Sequence, residues 1–217
     1  MEDDISSFLA LPLLWEQRLR LVRDTARPAL FMDRDGVINV DTGYLGDPAD
    51  VRVNAWAAEL IRFANAHELP VVVVTNQSGV GRGYYTWQDF WRVQQRIVFD
   101  LAAAGARLDL VLACGSDPTS DDAASIAACP MRKPKPGMIL RSAEMMAIDL
   151  RRSILVGDRY SDLLAAAGAG LAEAWLVRSR QNESCLPRLL RTDTVFRDFD
   201  PNLGLHDLMT SLRSSTQ

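Results

Sequence analysis

The sequence predicts an α/β fold, a doubly wound parallel sheet with helices on both faces and no large cap domain. Two observations carry this expectation. Short continuous apolar runs alternate with segments of helical spacing, the signature of strands buried on both sides. Polar and acidic residues gather where those runs stop, which is where an open parallel sheet carries its ligand crevice. No repeat or long linker interrupts the pattern.

The elements follow in order. Residues 28–32 form an apolar run that stops at Asp33. Residues 55–67 have helical spacing, with Ala58, Leu60, Ile61 and Phe63 apolar. A second buried run at 69–74 stops at Thr75-Asn76. Residues 86–104 start at Thr86, a good N-cap, carry Phe90, Val93, Ile97 and Leu101 on one face, and end at Gly105. Trp87 and Trp91 lie at i, i+4 on this helix and read as packing residues. A third run covers 108–113, a helix follows at 137–146, and a fourth run at 153–156 stops at Gly157-Asp158. The next helix, 161–167, ends at Gly168 and Gly170, and a fifth run covers 174–177. The tail adds a strand at 194–196 and a helix at 205–212. Near the start, an apolar stretch at 8–14 runs into Glu16, Arg18 and Arg20. It reads as an amphipathic helix with Leu13, Trp15, Leu19 and Val22 as contacts. The expected organisation is an N-terminal helical extension, 1–27, and a single domain, 28–217.

Composition narrows the classes. The 217 residues suit one domain, and 48% hydrophobic with 24% charged residues excludes collagen-like, disordered and disulfide-scaffold proteins. The net charge is 24 − 28 = −4, so bulk electrostatics favours neither nucleic acid nor an anionic membrane as partner. No apolar run is long enough to cross a bilayer. The opening Met1-Glu2-Asp3-Asp4 is acidic where a secretory leader would be basic. Three cysteines, Cys114, Cys129 and Cys185, are too few for a disulfide framework. A cytoplasmic monomer is expected.

Chemistry concentrates at the ends of three runs. They deliver Asp33-Arg34-Asp35-Gly36, then Thr75-Asn76-Gln77-Ser78-Gly79, then Gly157-Asp158-Arg159 with Asp162 one turn later. Arg132-Lys133 sits in a Pro-rich loop that brings positive charge to the same edge. Such a set fits phosphoryl transfer through an aspartyl-phosphate. A carboxylate must approach an anionic phosphate that repels it. A divalent cation and a lysine neutralise that repulsion, and hydroxyl and N–H donors hold the phosphoryl oxygens. A second carboxylate two residues on would exchange protons with the leaving oxygen and with water. A carboxylate-rich oxygen site suits Mg²⁺.

These motifs, in this order, resemble the haloacid dehalogenase superfamily. The wording Asp33-Arg34-Asp35-Gly36-Val37-Ile38-Asn39, Gly43-Tyr44, Thr75-Asn76-Gln77-Ser78-Gly79-Val80-Gly81-Arg82-Gly83 and Arg132-Lys133-Pro134-Lys135-Pro136-Gly137-Met138 is similar to its heptose bisphosphate and histidinol-phosphate phosphatases. The match runs over residues 28–180. The resemblance implies a Rossmann-like fold and a set of roles. Asp33 would be nucleophile and Mg²⁺ ligand, and Asp35 general acid/base with its carbonyl on the metal. Thr75 and Lys133 would hold the transferring group, and Asp158 would be the second metal carboxylate, with Asp162 as support or as an exposed first-turn residue. Asn76, Arg132 and Arg159 would contact substrate.

One departure matters. Family members often carry a zinc loop, and its positions here are Cys114, Ser116, Cys129 and Met131. Serine and methionine are poor zinc ligands, so no structural zinc is expected, and Cys114 and Cys129 pair as a disulfide or remain thiols, thiols being favoured in a reducing compartment. Segment 1–27 also lies outside the pattern.

The expected activity is Mg²⁺-dependent hydrolysis of a small phosphorylated sugar. The resemblance favours heptose 1,7-bisphosphate with loss of the 7-phosphate, then histidinol phosphate. With no room for a cap, selectivity falls to loops 40–53 and 115–132. A non-catalytic phospho-ligand binder is the reading from another class.

Overall fold

The computed structural model describes residues 5–11, 13–20, 25–117, 119, 129–178 and 192–215. The strands are β1 (Leu9–Leu11), β2 (Leu14–Arg18), β3 (Leu30–Met32), β4 (Val71–Asn76), β5 (Leu110–Cys114), β6 (Ile154–Gly157), β7 (Glu173–Val177) and β8 (Val195–Phe199). They form one sheet in the order β1-β2-β5-β4-β3-β6-β7-β8. Neighbours from β5 to β8 run parallel, and β1 and β2 add an antiparallel edge.

Period-two alternation explains the continuous apolar runs. Leu30 and Met32 of β3 face one core layer, and Phe31 faces the other. Val71 and Val73 of β4 divide from Val72 and Val74 in the same way. The first layer is covered by α1 (Ala55–Ala66), α3 (Trp87–Ala103) and α6 (Leu205–Ser215), the second by α4 (Gly137–Met146) and α5 (Tyr160–Ala169). The short helix α2 (Ser78–Gly81) follows β4 directly. Leu60, Ile61, Phe90, Val93, Ile97 and Leu101 are fully buried, each stabilising the fold by about 2 kcal/mol. Thr86 starts α3 with a capping box: its hydroxyl accepts from the Asp89 N–H at 3.2 Å, and the Asp89 carboxylate accepts from the Thr86 N–H at 2.8 Å.

The start of the chain departs from expectation. In place of the expected amphipathic helix, Leu9–Leu11 and Leu14–Arg18 are paired strands. The β2 backbone closes the open edge of β5, with Trp15 opposite Ala113 and Gln17 opposite Val111. Otherwise that edge would leave a row of N–H and C=O groups unpaired. Alternation within β2 sends Trp15 into the α3 layer and Glu16 to Arg141 of α4, at 2.9 Å. Leu19 packs partly buried against the same layer. Val22 and Cys185 lie outside the described residues, as do 118 and 120–128 of the loop after β5.

Topology explains where the chemistry gathers. The chain builds β3, β4 and β5 outward to one side, then returns to place β6 on the other side of β3. Successive connections diverge between β3 and β6, leaving a crevice at their carboxyl ends. Asp33 follows β3, Thr75 lies in β4, and Asp158 follows β6.

Candidate active site

The turn after β3 is closed by two backbone bonds, Gly36 N–H to the Asn39 carbonyl at 2.8 Å and Asn39 N–H to the Arg34 carbonyl at 3.0 Å. The Asp33 carboxylate accepts from the Arg34 N–H at 2.8 Å. Gly36 has φ +83°, and a Cβ there would collide with the Asp158 carboxylate. Glycine is therefore required twice over, by backbone and by space.

Lys133 arrives from the loop before α4. Its ammonium lies 3.0 Å from Asp33, pairs with Asp162, and donates to the Val74 carbonyl at 2.8 Å. Asn76 clamps this loop to the end of β4. Its amide accepts from the Lys133 N–H at 3.1 Å and donates to the Lys133 carbonyl at 2.9 Å. Burial alone would lower the Lys133 pKa, but Asp162 and Asp33 more than offset it, so the ammonium is held well above its ordinary range. Asp162 is fully buried, which corrects the reading of an exposed first-turn residue. It also accepts from the Arg159 N–H at 3.0 Å, so one side chain caps α5 and holds the lysine.

The carboxylates outnumber the cation. Oxygens of Asp33, Asp158 and Asp162 lie within 4.8 Å of one another. Burial, opposed by Lys133 and reinforced by the charges of Asp162 and Asp35, pushes Asp33 up to about 6. Burial, reinforced by Asp33 and Asp162, pushes Asp158 up to about 8. A cluster of hard oxygen donors with excess negative charge fits a divalent cation such as Mg²⁺.

Asp35 has different surroundings. Arg34 grips it through Nε at 3.1 Å and Nη2 at 3.0 Å, Asn39 donates at 3.0 Å, and Gln77 donates at 2.7 Å. Burial would raise its pKa, but the Arg34 charge and these hydrogen bonds more than offset it and hold the carboxyl below its ordinary value. Gln77 also donates to the Thr75 hydroxyl at 2.9 Å, and its carbonyl accepts from Arg34 and Tyr85. Arg34, Asn39, Gln77 and Tyr85 were not singled out from the sequence. The first three sit inside the quoted motifs, and the arginine between two aspartates shows nothing of its burial until the chain is folded.

A cleft of about 370 Å³ opens over this cluster, enough for a small metabolite. Asp33, Asp35, Thr75, Asn76, Arg132, Lys133 and Arg159 all line it. Asp158 and Asp162 lie beneath. Arg132 donates to the Ser116 carbonyl at 2.6 Å, and Arg159 reaches Asp41 at 3.3 Å across the mouth. Asp41, Gly43 and Tyr44 from the loop after β3 complete the wall. Cys114 and Cys129 are thiols with sulfurs 3.9 Å apart, and Cys114 lies 3.1 Å from the Ser116 hydroxyl.

Residues 130–199 match the HAD-hydrolase-like family. A D-glycero-beta-D-manno-heptose-1,7-bisphosphate 7-phosphatase of Mesorhizobium japonicum is 44% identical over 170 residues, 78% of each chain. Its counterpart in Vibrio cholerae is 36% identical over 154 residues, 71% of this chain and 83% of that one. A HAD-like phosphatase structure from Mesorhizobium loti superposes with TM-score 0.87 at 38% identity, over 97% of this chain and 98% of that one. A D,D-heptose 1,7-bisphosphate phosphatase from B. bronchiseptica, complexed with magnesium and phosphate, gives TM-score 0.69 at 27% identity, over 84% and 98%. The chain belongs to the haloacid dehalogenase superfamily, in the branch that includes the heptose 1,7-bisphosphate phosphatases, and is a phosphoric monoester hydrolase.

Proposed function

We propose that the protein removes the 7-phosphate of D-glycero-D-manno-heptose 1,7-bisphosphate through an aspartyl-phosphate on Asp33. The observation that carries this is Asp33 lying 3.0 Å from the Lys133 ammonium at the floor of a cleft lined by Thr75, Arg132 and Arg159. The names of the relatives supply the substrate.

Asp33 attacks phosphorus while Lys133 and Thr75 hold the phosphoryl oxygens. Asp35 gives a proton to the leaving sugar oxygen. Arg34 and Gln77 hold it as a carboxylate in the free enzyme; an incoming phosphate anion raises its proton affinity, and Asp35 takes up a proton from solvent before it serves as the acid. Water then attacks the aspartyl-phosphate, Asp35 takes its proton, and inorganic phosphate leaves. Asp33, Asp158 and the Asp35 carbonyl would hold Mg²⁺. When bound, the ion neutralises charge on the carboxylates and the transferring phosphoryl group. The second phosphate of the substrate would meet Arg132 and Arg159.

The test is phosphate release from heptose 1,7-bisphosphate, histidinol phosphate and fructose 1,6-bisphosphate, each with Mg²⁺ and with EDTA. Rapid EDTA-sensitive release from the heptose, with loss of the 7-phosphate signal by phosphorus NMR, is expected. Asp33→Asn should lower it by at least about 10³-fold in a folded protein. Equal hydrolysis by Asp33→Asn and wild type would remove Asp33 as nucleophile, and release from histidinol phosphate alone would replace the substrate.

A further inference from the structure

Arg34 is a buried charge that the phosphoryl-transfer chemistry does not itself use. Its side chain is 1% exposed. Nε and Nη2 are satisfied by Asp35 and Gln77, but Nη1 has no hydrogen-bond acceptor among the described residues. The guanidinium carbon instead lies 4.9 Å from the centre of the Phe90 ring. A ring face offers a desolvated guanidinium part of what a missing acceptor would.

Two edges hold that ring. Trp15 meets Phe90 at 5.3 Å and 70°, and Trp87 meets it at 5.3 Å and 88°, both edge-to-face. Trp15 itself stacks on Trp87 at 5.8 Å and lies 5.0 Å from Phe8. Trp15 belongs to β2, in the segment outside the motif-bearing stretch. Its indole is 0% exposed, and its Nε1–H has no acceptor among the described residues. An aliphatic residue would fill the layer without that cost. The tryptophan is better explained by its edge than by its bulk.

Resting on the phosphatase reading, we infer that the β1–β2 hairpin supports catalysis, with Trp15 a positioning residue that seats Phe90 under Arg34 and so fixes the carboxylate of Asp35. The chain of contacts runs Trp15 to Phe90 to Arg34 to Asp35. Losing the Trp15 edge leaves the Phe90 ring held by Trp87 alone, and the face beneath Arg34 loosens. The Asp35 carboxylate then drifts from the leaving oxygen, whereas Asp33, Lys133 and Thr75 keep their places.

The leaving group separates this from general damage to the core. A sugar alkoxide needs a proton as it departs, and a nitrophenolate does not. Wild type, Trp15→Leu, Trp15→Phe and the core control Leu208→Ala are compared on heptose 1,7-bisphosphate and p-nitrophenyl phosphate. Phe90→Leu replaces Trp15→Leu if the latter does not fold. Trp15→Leu is expected to lower kcat/KM about tenfold or more for the sugar ester with its KM little changed, and less than about twofold for the aryl ester. Trp15→Phe should stay near wild type on both, and Leu208→Ala should lose thermal stability without this discrimination. A second readout needs no activity. The Arg34 Nε–H resonance, assigned by its loss in Arg34→Lys, should be protected from exchange in wild type and Trp15→Phe and exposed in Trp15→Leu. Equal loss on both esters, no loss on either, or a protected Arg34 signal in Trp15→Leu would overturn the inference. Inactivity of wild type on both esters, with the Arg34 signal behaving as expected, would instead overturn the phosphatase reading and leave the seat intact.

Discussion

Lys133 and Asp162 form an ion pair shut away from bulk solvent, with side-chain exposures of 2% and 0%. Asp162 stands at the start of α5, and Lys133 comes from the loop before α4. One carboxylate thus ties two loops together at the floor of the cleft, and it keeps the lysine charged beside Asp33.

Asp162→Asn keeps the size of the side chain and its cap on α5 but removes a charge that Lys133 faces. Breaking a buried pair from one side costs about 3 kcal/mol. A lower thermal midpoint and at least about a tenfold loss of phosphate release are expected. Wild-type values of both would show that Asp33 and Val74 hold Lys133 without it.

Gly36 and Gly83 make a matched pair, with φ +83° and +70°. A Cβ at Gly83 meets nothing within 4 Å, whereas at Gly36 it strikes Asp158. Alanine at either position should cost about 1–2 kcal/mol for its backbone. Only Gly36→Ala should also abolish phosphate release, because the Asp158 carboxylate must move. Comparable activity in the two variants would contradict the steric argument.

Alkaline pH should weaken the fold. Burial chiefly pushes the Tyr85 hydroxyl up to about 12, and Lys133 is also raised, burial being more than offset by Asp162 and Asp33. Both folded values lie above the unfolded ones, about 10 for tyrosine and 10.4 for lysine. Their contribution is intact below about pH 10 and is lost as the pH rises through the folded values, because the unfolded chain ionises first. The thermal midpoint should fall between pH 10 and about 12, and Tyr85→Phe should fall less steeply than wild type. Parallel curves would remove Tyr85 from the transition.

A zinc-selective chelator should leave the thermal midpoint of protein purified without added metal unchanged. Elemental analysis should find less than about 0.1 zinc per chain, since Ser116 and Met131 stand where a four-donor site needs cysteine or histidine. One zinc per chain would mean that Cys114 and Cys129 recruit donors from elsewhere.

Much of this was legible in residue order. Runs such as Val71-Val72-Val73-Val74 are apolar at every position because both faces of the sheet are covered, so a continuous run already specifies a central strand. The acidic motifs follow from the same logic, since a parallel sheet presents the ends of all its strands at one edge. Asp33, Thr75 and Asp158 could be grouped before their distances were known.

Two features required the three-dimensional fold. A seven-residue apolar stretch suits a helix face or an edge strand equally well, and what decided β1 and β2 was the unpaired edge of β5, about a hundred positions away in the chain. Likewise Asp162 and Arg34 read as ordinary charges beside a motif. Their importance comes from burial away from bulk solvent, where a charge is tolerable only against a partner: Lys133 for one, and Asp35 with the Phe90 ring for the other. Local pattern names the residues able to do chemistry. Which of them hold the others in place depends on partners the chain brings together only when folded.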